Sequence, residues 1–404
     1  MKTFRRMTIL AMAAMLLLAF VCGAAADTVS EKKDNRGRVT ESTRTDDSGN
    51  AVNGPEGYAV IRYVYQGEKA TETYFDADGN PVRMPGGYYG RAVSRDGKGQ
   101  ISLIEYLDRD GNLTMTAMGY ARVFYYYRSF GEEYKSVYFG TKKGEVVTVP
   151  SLGYAQVETE FSGTVMTGRT FKDPVGNPVD SLAGYASVRR KLNKNRQILQ
   201  VWYSHADGKP ATGPDGWSKC IMERDNKGKL TEIRYLDEKD RPTDAGGCAR
   251  ETYSYDSNGD AKVTRYDLSG NRIPFGGEAV SVLRRMIDDR IVQETYLDEA
   301  GRATALPDGY ASVVYSYNSA GNLETIQYRN AKGDKATCTR GYSAIRQSWD
   351  LQGRLVRRTF LDANGQNVNS TDGICEEQYL YDAAGKLTEV QQFDAAGTQA
   401  APRP

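Results

Sequence analysis

His205 is the only histidine in the 404-residue chain, so any serine or cysteine nucleophile that an imidazole activates would have to use it. It lies three residues before Gly208, and the same spacing separates Asp76 from Gly79 elsewhere in the chain. Asp and Asn at the first position of such a segment are typical of β-turns, which favours a turn variant over a catalyst. A zinc site with several histidines is excluded because the chain has no second one.

Two segments carry paired aspartates in the manner of calcium loops. They are Asp76 to Asn80 and Asp108 to Asn112, and clustered carboxylates of this kind suit a hard cation. The glycine comes too early for an EF-hand loop, however, and most related segments lack the second aspartate. A β-turn explains every copy, so we predict no metal site.

Glycoside cleavage would need a pair of carboxyl groups, and the chain has 52 Asp and Glu residues. The glutamates that recur lie on the second strand of the repeat described below, where we expect a solvated face: Glu72, Glu232, Glu294, Glu324 and Glu389. Nothing singles out one pair of them. We therefore predict no catalytic residue and no cofactor, and we expect a protein that is not an enzyme.

The chain has five cysteines, of which Cys22 lies in the N-terminal apolar segment. The other four form two pairs of near neighbours, Cys220 with Cys248 and Cys338 with Cys375. An even number in an exported chain permits disulfides, and the sequence slightly favours these two bridges. Cys248 also stands where other repeats place tyrosine, which suits a buried free thiol equally well.

Aromatic rings are the most suggestive candidates for binding, since the chain has 28 tyrosines. Rings recur at one place in each repeat, and we take seven of them as candidate ligand-binding residues: Tyr58, Tyr120, Tyr154, Tyr185, Trp217, Tyr310 and Tyr342. Flat rings with polar edges suit sugar rings or the surface of a partner protein. Packing between repeats is the alternative, and the sequence leaves both open.

A repeat of roughly 31 residues positions these side chains. Successive copies begin at a Gly-Tyr-Ala-like segment, and the starts are 30 to 34 residues apart. They fall at Tyr58, Tyr88, Tyr120, Tyr154, Tyr185, Trp217, Cys248, Glu278, Tyr310, Tyr342 and Ile374. Such regularity is typical of a repeat array, in which each unit buries its apolar face against its neighbours.

Each repeat predicts a β-hairpin. In the copy from Tyr310, the residues Ala311, Val313, Tyr315 and Tyr317 occupy alternate positions, which is the period of a strand with one buried face. Two segments of the form Asp/Asn-x-x-Gly mark turns in each copy. No apolar stripe of helical period follows the N-terminal segment. We therefore predict an all-β, elongated array of about twelve β-hairpin repeats, solenoid-like or an extended twisted sheet.

The ends of the chain differ from the repeats. Lys2, Arg5 and Arg6 precede an apolar run and then small residues, which is the layout of a signal peptide over residues 1–26. Residues 27–57 are expected to form a partial or capping repeat, 58–397 the tandem repeats, and 398–404 a disordered tail. This layout predicts a product that is secreted or held in the cell envelope.

The charges limit the class of partner. With a net charge of +1 and basic residues interspersed among acidic ones, the chain lacks the basic stripe that a phosphate backbone requires, so we expect no nucleic-acid partner. After removal of the signal peptide, no later apolar stretch is long enough to span a membrane.

Segments such as Tyr255-Asp256-Ser257-Asn258-Gly259 and Tyr381-Asp382-Ala383-Ala384-Gly385 resemble the YD repeats of bacterial RHS-type surface and toxin proteins. The segment from Tyr296 to Tyr310 resembles, more weakly, the hairpin repeats of bacterial cell-wall-binding modules. Two features depart from these families: the second arm of the hairpin is longer than in YD repeats, and the chain has only three tryptophans. The resemblance implies a bacterial envelope or secreted setting and assigns no ligand-binding residue.

Three functions follow from these observations. The leading one is a non-catalytic exported protein that binds or scaffolds at the bacterial envelope, with a glycan or a surface protein as its partner. The second is a YD-type structural or toxin-delivery shell that recognises nothing itself. The third is a glycan hydrolase.

Overall fold

The computed structural model describes residues 28–399 except 47, 55, 289, 351–352 and 382–386. The predicted signal peptide over residues 1–26 and most of the predicted tail lie outside the described residues, as does the whole of the expected turn from Asp382 to Gly385. All the secondary-structure elements assigned in the described part of the chain are β-strands. The predicted all-β array of hairpin repeats is thereby confirmed.

The described residues divide into two compact units. The first unit contains residues 28–220 together with Asp237–Arg241, and the second contains Ile221–Leu236 and residues 242–399. The boundary falls inside strand β13 (Lys219–Arg224).

The first unit is an antiparallel meander, since each strand pairs with the next strand along the chain. Its strands are β1 (Thr28–Lys33), β2 (Val39–Thr45), β3 (Val60–Gln66), β4 (Lys69–Phe75), β5 (Gly90–Arg95), β6 (Ile101–Leu107), β7 (Arg122–Tyr127), β8 (Glu133–Phe139), β9 (Gln156–Ser162), β10 (Val165–Lys172), β11 (Ser187–Leu192) and β12 (Ile198–Ser204).

The second unit continues the same pattern, with one short additional strand, β17. Its strands are β14 (Leu230–Leu236), β15 (Arg250–Tyr255), β16 (Ala261–Tyr266), β17 (Arg272–Ile273), β18 (Ser281–Ile287), β19 (Arg290–Leu297), β20 (Ser312–Tyr317), β21 (Leu323–Arg329), β22 (Ala344–Trp349), β23 (Leu355–Leu361), β24 (Glu376–Tyr381) and β25 (Leu387–Phe393).

The alternation along strand β20 fixes which side chains share a face. Val313 lies opposite Tyr328 of β21 and Tyr315 lies opposite Ile326, so these four side chains point to one face of the sheet. We call this the ring face, because it carries the aromatic rings described below. Ser312, Val314 and Ser316 point to the opposite face.

The turn between β20 and β21 shows how each hairpin closes. The Asn318 amide donates to the carbonyl of Asn322, and the Gly321 amide donates back to the carbonyl of Asn318. Gly321 adopts a φ of 84°, a left-handed conformation that a glycine reaches without strain. The pairing shifts by one residue between Ser316 and Tyr317, so this is a type I turn with a β-bulge.

A third turn of the same kind lies in the return loop of each repeat, where the sequence predicted only a longer connection. The Leu306 amide donates to the carbonyl of Tyr310, and the amide of Gly309 donates to the carbonyl of Leu306. Gly309 again has a positive φ, 88°. The glycine of the Gly-Tyr start is therefore a turn residue, and this turn carries the ring of Tyr310 back to the hairpin.

Candidate functional site

The rings at the repeat starts belong to two aromatic ladders, one in each unit. In the first unit each of them alternates with a ring from the second strand of a hairpin, and successive ring centroids are 4.5 to 6.4 Å apart. The ladder of this unit runs through Tyr58, Tyr74, Tyr88, Tyr106, Tyr120, Tyr138, Tyr154, Phe171, Tyr185, Tyr203 and Trp217. Edge-to-face and offset pairs at these distances stabilise the contact beyond the area they bury.

The second unit has a ladder of the same construction. It runs through Phe275, Tyr296, Tyr310, Tyr328, Tyr342 and Phe360, with centroid distances of 4.5 to 6.2 Å. Tyr342 and Phe360 are stacked, with ring planes 19° apart. Cys338, Ile345 and Ile374 pack around this last pair in a buried cluster.

The structure places all seven candidate binding residues in these two ladders. Five are buried, and Trp217 is only 2% exposed: Tyr120, Tyr154, Tyr185, Trp217 and Tyr342. Tyr58 and Tyr310 are half-buried. Burial raises the pKa of Tyr154, Tyr185, Tyr310 and Tyr342, because the phenolate is the form that loses hydration. The contacts of these rings are with neighbouring strands, and their ligand-binding role stays a prediction.

A second set of aromatic residues bonds several hairpins to the hairpin before them. In these hairpins an aromatic residue at or next to the end of the first strand donates a side-chain hydrogen bond to a main-chain carbonyl 26 residues earlier, at 2.7 to 2.8 Å. The accepting carbonyl belongs to a residue at or near the start of the preceding second strand. The donors are the hydroxyls of Tyr65, Tyr127, Tyr317 and Tyr381 and the indole nitrogen of Trp349. Tyr255 makes the same bond, counted over 25 residues.

Basic side chains cover several of these rings. Each comes from the first turn of the preceding repeat, and its charged group lies 4.3 to 5.5 Å from the ring centroid. The pairs are Arg38 over Tyr65, Lys229 over Tyr255, Arg290 over Tyr317 and Arg354 over Tyr381. A cation above the plane of an aromatic ring is attracted by the quadrupole of that ring, so this contact also links consecutive repeats.

Two of the recurring glutamates, Glu72 and Glu294, do not lie on a solvated face, which corrects the expectation from the sequence. Glu294 accepts from Arg284 at 2.9 Å and from the Tyr315 hydroxyl at 2.7 Å. Glu72 pairs with Arg91 in the same way, and it also accepts from Tyr74.

The side chains of Glu72 and Glu294 are both mostly buried on the ring face, where a carboxylate needs a charged partner. Glu232 lies opposite Thr252, on the other face of the sheet, and pairs there with the partly exposed Arg250 at 3.2 Å. Glu324 and Glu389 are exposed, as expected.

The aspartates with calcium-like spacing accept hydrogen bonds from residues of their own turns. One oxygen of Asp76 accepts the Asn80 amide at 2.7 Å, and the other accepts the Asn80 side-chain amide at 3.2 Å. Hydrogen bonding from the Asn80 backbone lowers the pKa of Asp76. No group of three or more His, Cys, Asp or Glu side chains placed to hold a metal occurs among the described residues.

His205 occupies the turn that the sequence assigned to it. Its amide donates to the carbonyl of Lys209, and Gly208 donates back to His205. The Nδ1 atom lies 2.7 Å from a carboxylate oxygen of Asp180, whose other oxygen accepts the amide of Ala206. The imidazole thus links this turn to the preceding repeat.

None of the four cysteines of the repeats forms a disulfide and all four are buried, which corrects the slight preference for bridges. Cys248 fills a position that other repeats give to tyrosine, and burial raises the pKa of its thiol. Cys338 packs in the cluster around Tyr342. Each thiol therefore acts as a small apolar core residue, and the packing leaves it unbridged.

A cavity that was not predicted from the sequence lies on the ring face at the C-terminal end of the second ladder. Its volume is about 430 Å³. Apolar residues and rings line one side, namely Ile326, Tyr328, Tyr342, Ile345, Phe360 and Ile374, and polar side chains line the rest, among them Arg340, Gln347, Arg358, Asp372, Glu377 and Gln392.

No family model and no curated protein matches this chain. Among solved structures, it is similar to a complex described as TcdB2-TccC3-TEV, with 11% identity, a TM-score of 0.26, and coverage of 92% of this chain and 24% of that one. It is also similar to the Tc holotoxin pore of Photorhabdus luminescens, with 13% identity, a TM-score of 0.27, and coverage of 92% and 22%.

The chain spans about a quarter of the length of the structures it matches. A TM-score this low does not establish a shared fold, and no property is transferred from those chains. No helix in the described part of the chain is long and apolar enough to cross a membrane.

Proposed function

We propose that this chain is a non-catalytic structural protein, a scaffold of YD-type hairpin repeats. One observation carries the proposal: the aromatic side chains that recur along the array contact the neighbouring strands and hairpins. The ring at each repeat start packs in the ladder, as Tyr310 does against Tyr296 and Tyr328. The ring that ends the first strand bonds to the preceding hairpin, as Tyr317 does to Ile291.

The possible catalytic groups support the same proposal. His205 bonds to Asp180 within a turn, and the cysteine thiols lie in the core. Glu294 forms an ion pair with Arg284 and accepts a hydrogen bond from the hydroxyl of Tyr315, so both interactions favour a structural role for this carboxylate. The signal-like N-terminus and the YD resemblance support a place in the envelope or outside the cell.

Turnover is the first test of this proposal. The full chain is incubated with peptidoglycan and with a panel of neutral and acidic polysaccharides, and released reducing ends are measured. A scaffold gives no release above the buffer blank. Turnover that is lost in Glu294→Gln or His205→Ala, with unchanged circular dichroism, would instead support the hydrolase.

Binding along the ladder is the second candidate, because Tyr58 and Tyr310 keep part of their surface exposed. In that case affinity for a glycan or a surface protein grows with the number of repeats, through avidity. A glycan array with the full chain and with chains shortened by one, two and three repeats distinguishes graded binding from none.

A further inference from the structure

The cavity at the C-terminal end of the second ladder exists because the ladder stops there. After Phe360 the next two ladder positions are held by Ile374 and Gln392, neither of which has a ring. Strand β22 also carries Gln347 at the fourth position, where β20 has Tyr315 and β24 has Tyr379. Three shorter side chains in adjacent places leave the space of about 430 Å³.

Two polar side chains at this cavity lack partners for one atom each. Gln347 is 9% exposed, and its Oε1 atom accepts no hydrogen bond. Directly opposite in the sheet register stands Arg358, whose Nε atom is buried and donates to nothing. The Nη1 atom of Arg358 donates to a carboxylate oxygen of Glu377 at 3.0 Å, which holds the guanidinium in place. Buried polar groups without a hydrogen-bond partner are unfavourable, so both atoms favour a ligand that satisfies them.

An unpaired acceptor opposite an unpaired donor selects the chemistry of that ligand. A hydroxyl group donates one hydrogen bond and accepts others, so a single hydroxyl placed between Gln347 and Arg358 satisfies both atoms. A carboxylate could hydrogen-bond only to Arg358, and Glu377 and Asp372 would repel it. An ammonium could hydrogen-bond only to Gln347, and Arg340 and Arg358 would repel it.

The apolar lining and the balance of charges narrow the chemical class of the ligand further. Tyr328, Tyr342 and Phe360 offer rings on one side, and a ring pair such as Tyr342 with Phe360 suits the flat apolar face of a sugar. The cationic and anionic residues of the lining are equal in number, Arg340 and Arg358 against Asp372 and Glu377, which favours a neutral ligand. Ligand pockets commonly fall in the range of about 300–1,000 Å³.

We propose that this cavity is a binding site for a neutral saccharide of one or two rings, with a hydroxyl of the sugar seated between Gln347 Oε1 and Arg358 Nε. This goes beyond the scaffold role, which needs no ligand. The site is single, at one end of the ladder in the second unit, and the other repeats do not reproduce it because they carry a tyrosine or another residue in place of Gln347.

Isothermal titration of the full chain tests the proposal with cellobiose, maltose and N,N′-diacetylchitobiose as probes. Glucuronic acid and glucosamine serve as anionic and cationic analogues. We expect at least one neutral disaccharide to bind with one site per chain and both charged analogues to bind at least tenfold more weakly. Gln347→Leu removes the acceptor with little change in volume, and it should weaken binding about tenfold.

Gln347→Tyr restores the side chain of neighbouring repeats and should abolish binding by filling the cavity, while the melting temperature stays level or rises. Gln391→Leu is the matched control, because Gln391 lies on β25 opposite Gln378 and points to the other face. Binding in this control should equal that of the unchanged protein.

Three results would overturn the assignment: no heat with any neutral probe up to 10 mM, unchanged binding in Gln347→Tyr, or equal binding of the charged analogues. If the sugar site fails in this way, the scaffold proposal still stands on its turnover test. Turnover of a polysaccharide would overturn the scaffold proposal but would leave the saccharide site to be decided by the titration.

Discussion

The hydroxyl of Tyr317 donates a 2.7 Å hydrogen bond to the main-chain carbonyl of Ile291, 26 residues earlier. The guanidinium of Arg290, the neighbour of Ile291, lies 5.5 Å from the centre of the same ring. The tyrosine of the Tyr-Asp turn therefore reaches one hairpin back along the chain. This geometry gives the Tyr-Asp pattern a structural purpose, since Tyr holds the preceding hairpin while Asp or Asn closes its own turn.

Replacing Tyr317 by phenylalanine tests the value of that bond. The ring and its contact with Arg290 stay, but the carbonyl of Ile291 loses its donor, so we expect the free energy of unfolding to fall by about 1 kcal/mol. Tyr126→Phe is the matched control, because Tyr126 is exposed, and it should change stability by less than about 0.5 kcal/mol. Urea unfolding measures both. Equal losses would show that the hydrogen bond to Ile291 contributes nothing.

The ionisation of buried tyrosines predicts loss of stability at high pH. Burial raises the pKa of Tyr88 and of Tyr127 to about 12, above the ordinary tyrosine value of 10.0. The folded state thus favours the protonated phenol, and the stability this contributes is fully present below pH 10. It is lost as the pH rises through 10 towards 12.

Absorbance at 295 nm and circular dichroism, followed together, measure this effect. Exposed tyrosines should ionise near pH 10 in the intact fold, and the remaining phenolate absorbance should rise cooperatively together with loss of the β signal. In concentrated urea all tyrosines of the same chain should titrate near pH 10. Ionisation of all tyrosines near pH 10 with the β signal intact would show that the ladder is open to solvent.

The strands could be predicted from the sequence because their signals are local. Val313, Tyr315 and Tyr317 alternate, and Asn318 and Gly321 have the residue types that their turn requires. The third turn was not predicted because its first position holds Leu306, whereas the other two turns usually have Asp or Asn there. Only the left-handed glycine before Tyr310 marks that turn, and glycine alone is a weak signal.

The site was harder to predict, because it depends on contacts between segments. The period of the repeat locates Tyr310 but does not show that the return loop lays it against Tyr328 of the following hairpin. The substitution of tyrosine by Gln347 is visible in an alignment of the repeats. Its unpaired oxygen is visible only when the side chain of Arg358 is placed opposite it.

The burial of the four cysteines predicts that their thiols are reduced and do not react with a thiol reagent in the native protein. For protein beginning at residue 27, we expect a thiol reagent to label none of the four cysteines under native conditions. In guanidinium chloride without reductant it should label all of them: Cys220, Cys248, Cys338 and Cys375. Fewer than four thiols after unfolding, with mass spectrometry locating a Cys220–Cys248 or Cys338–Cys375 link, would restore the disulfides that the sequence slightly favoured.

The ladder rings should matter more for stability than any exposed ring. Trp217→Ala removes a side chain that is 2% exposed, and we expect a loss of about 3–5 kcal/mol in the free energy of unfolding. Phe130→Ala removes a ring that is 79% exposed and serves as the control, with a change of less than about 0.5 kcal/mol. Reduced ligand binding by Trp217→Ala at unchanged stability would favour the platform role predicted for these rings.

The two-ring period of the ladder predicts which deletions the protein tolerates. Removing residues 310–341 takes out one whole repeat and joins Gly309 to Tyr342. Tyr296 then meets Tyr342 as it met Tyr310, and the Trp349 indole reaches the carbonyl of Ile291 in place of that of Leu323. Because stability in such an array is a sum of repeat and neighbour terms, we expect the shortened chain to fold.

Removing residues 310–325 instead deletes the same start and the first strand but keeps most of β21. The alternation of the ladder is then broken, because Tyr328 has lost Tyr310, its 4.5 Å neighbour. Part of β21 also loses the strand with which it paired in the hairpin. We expect this half-repeat deletion to lower the melting temperature more than the whole-repeat deletion, although it removes half as many residues. Circular dichroism melts of the two chains measure the difference, and an equal or smaller loss in the half-repeat deletion would contradict a nearest-neighbour array.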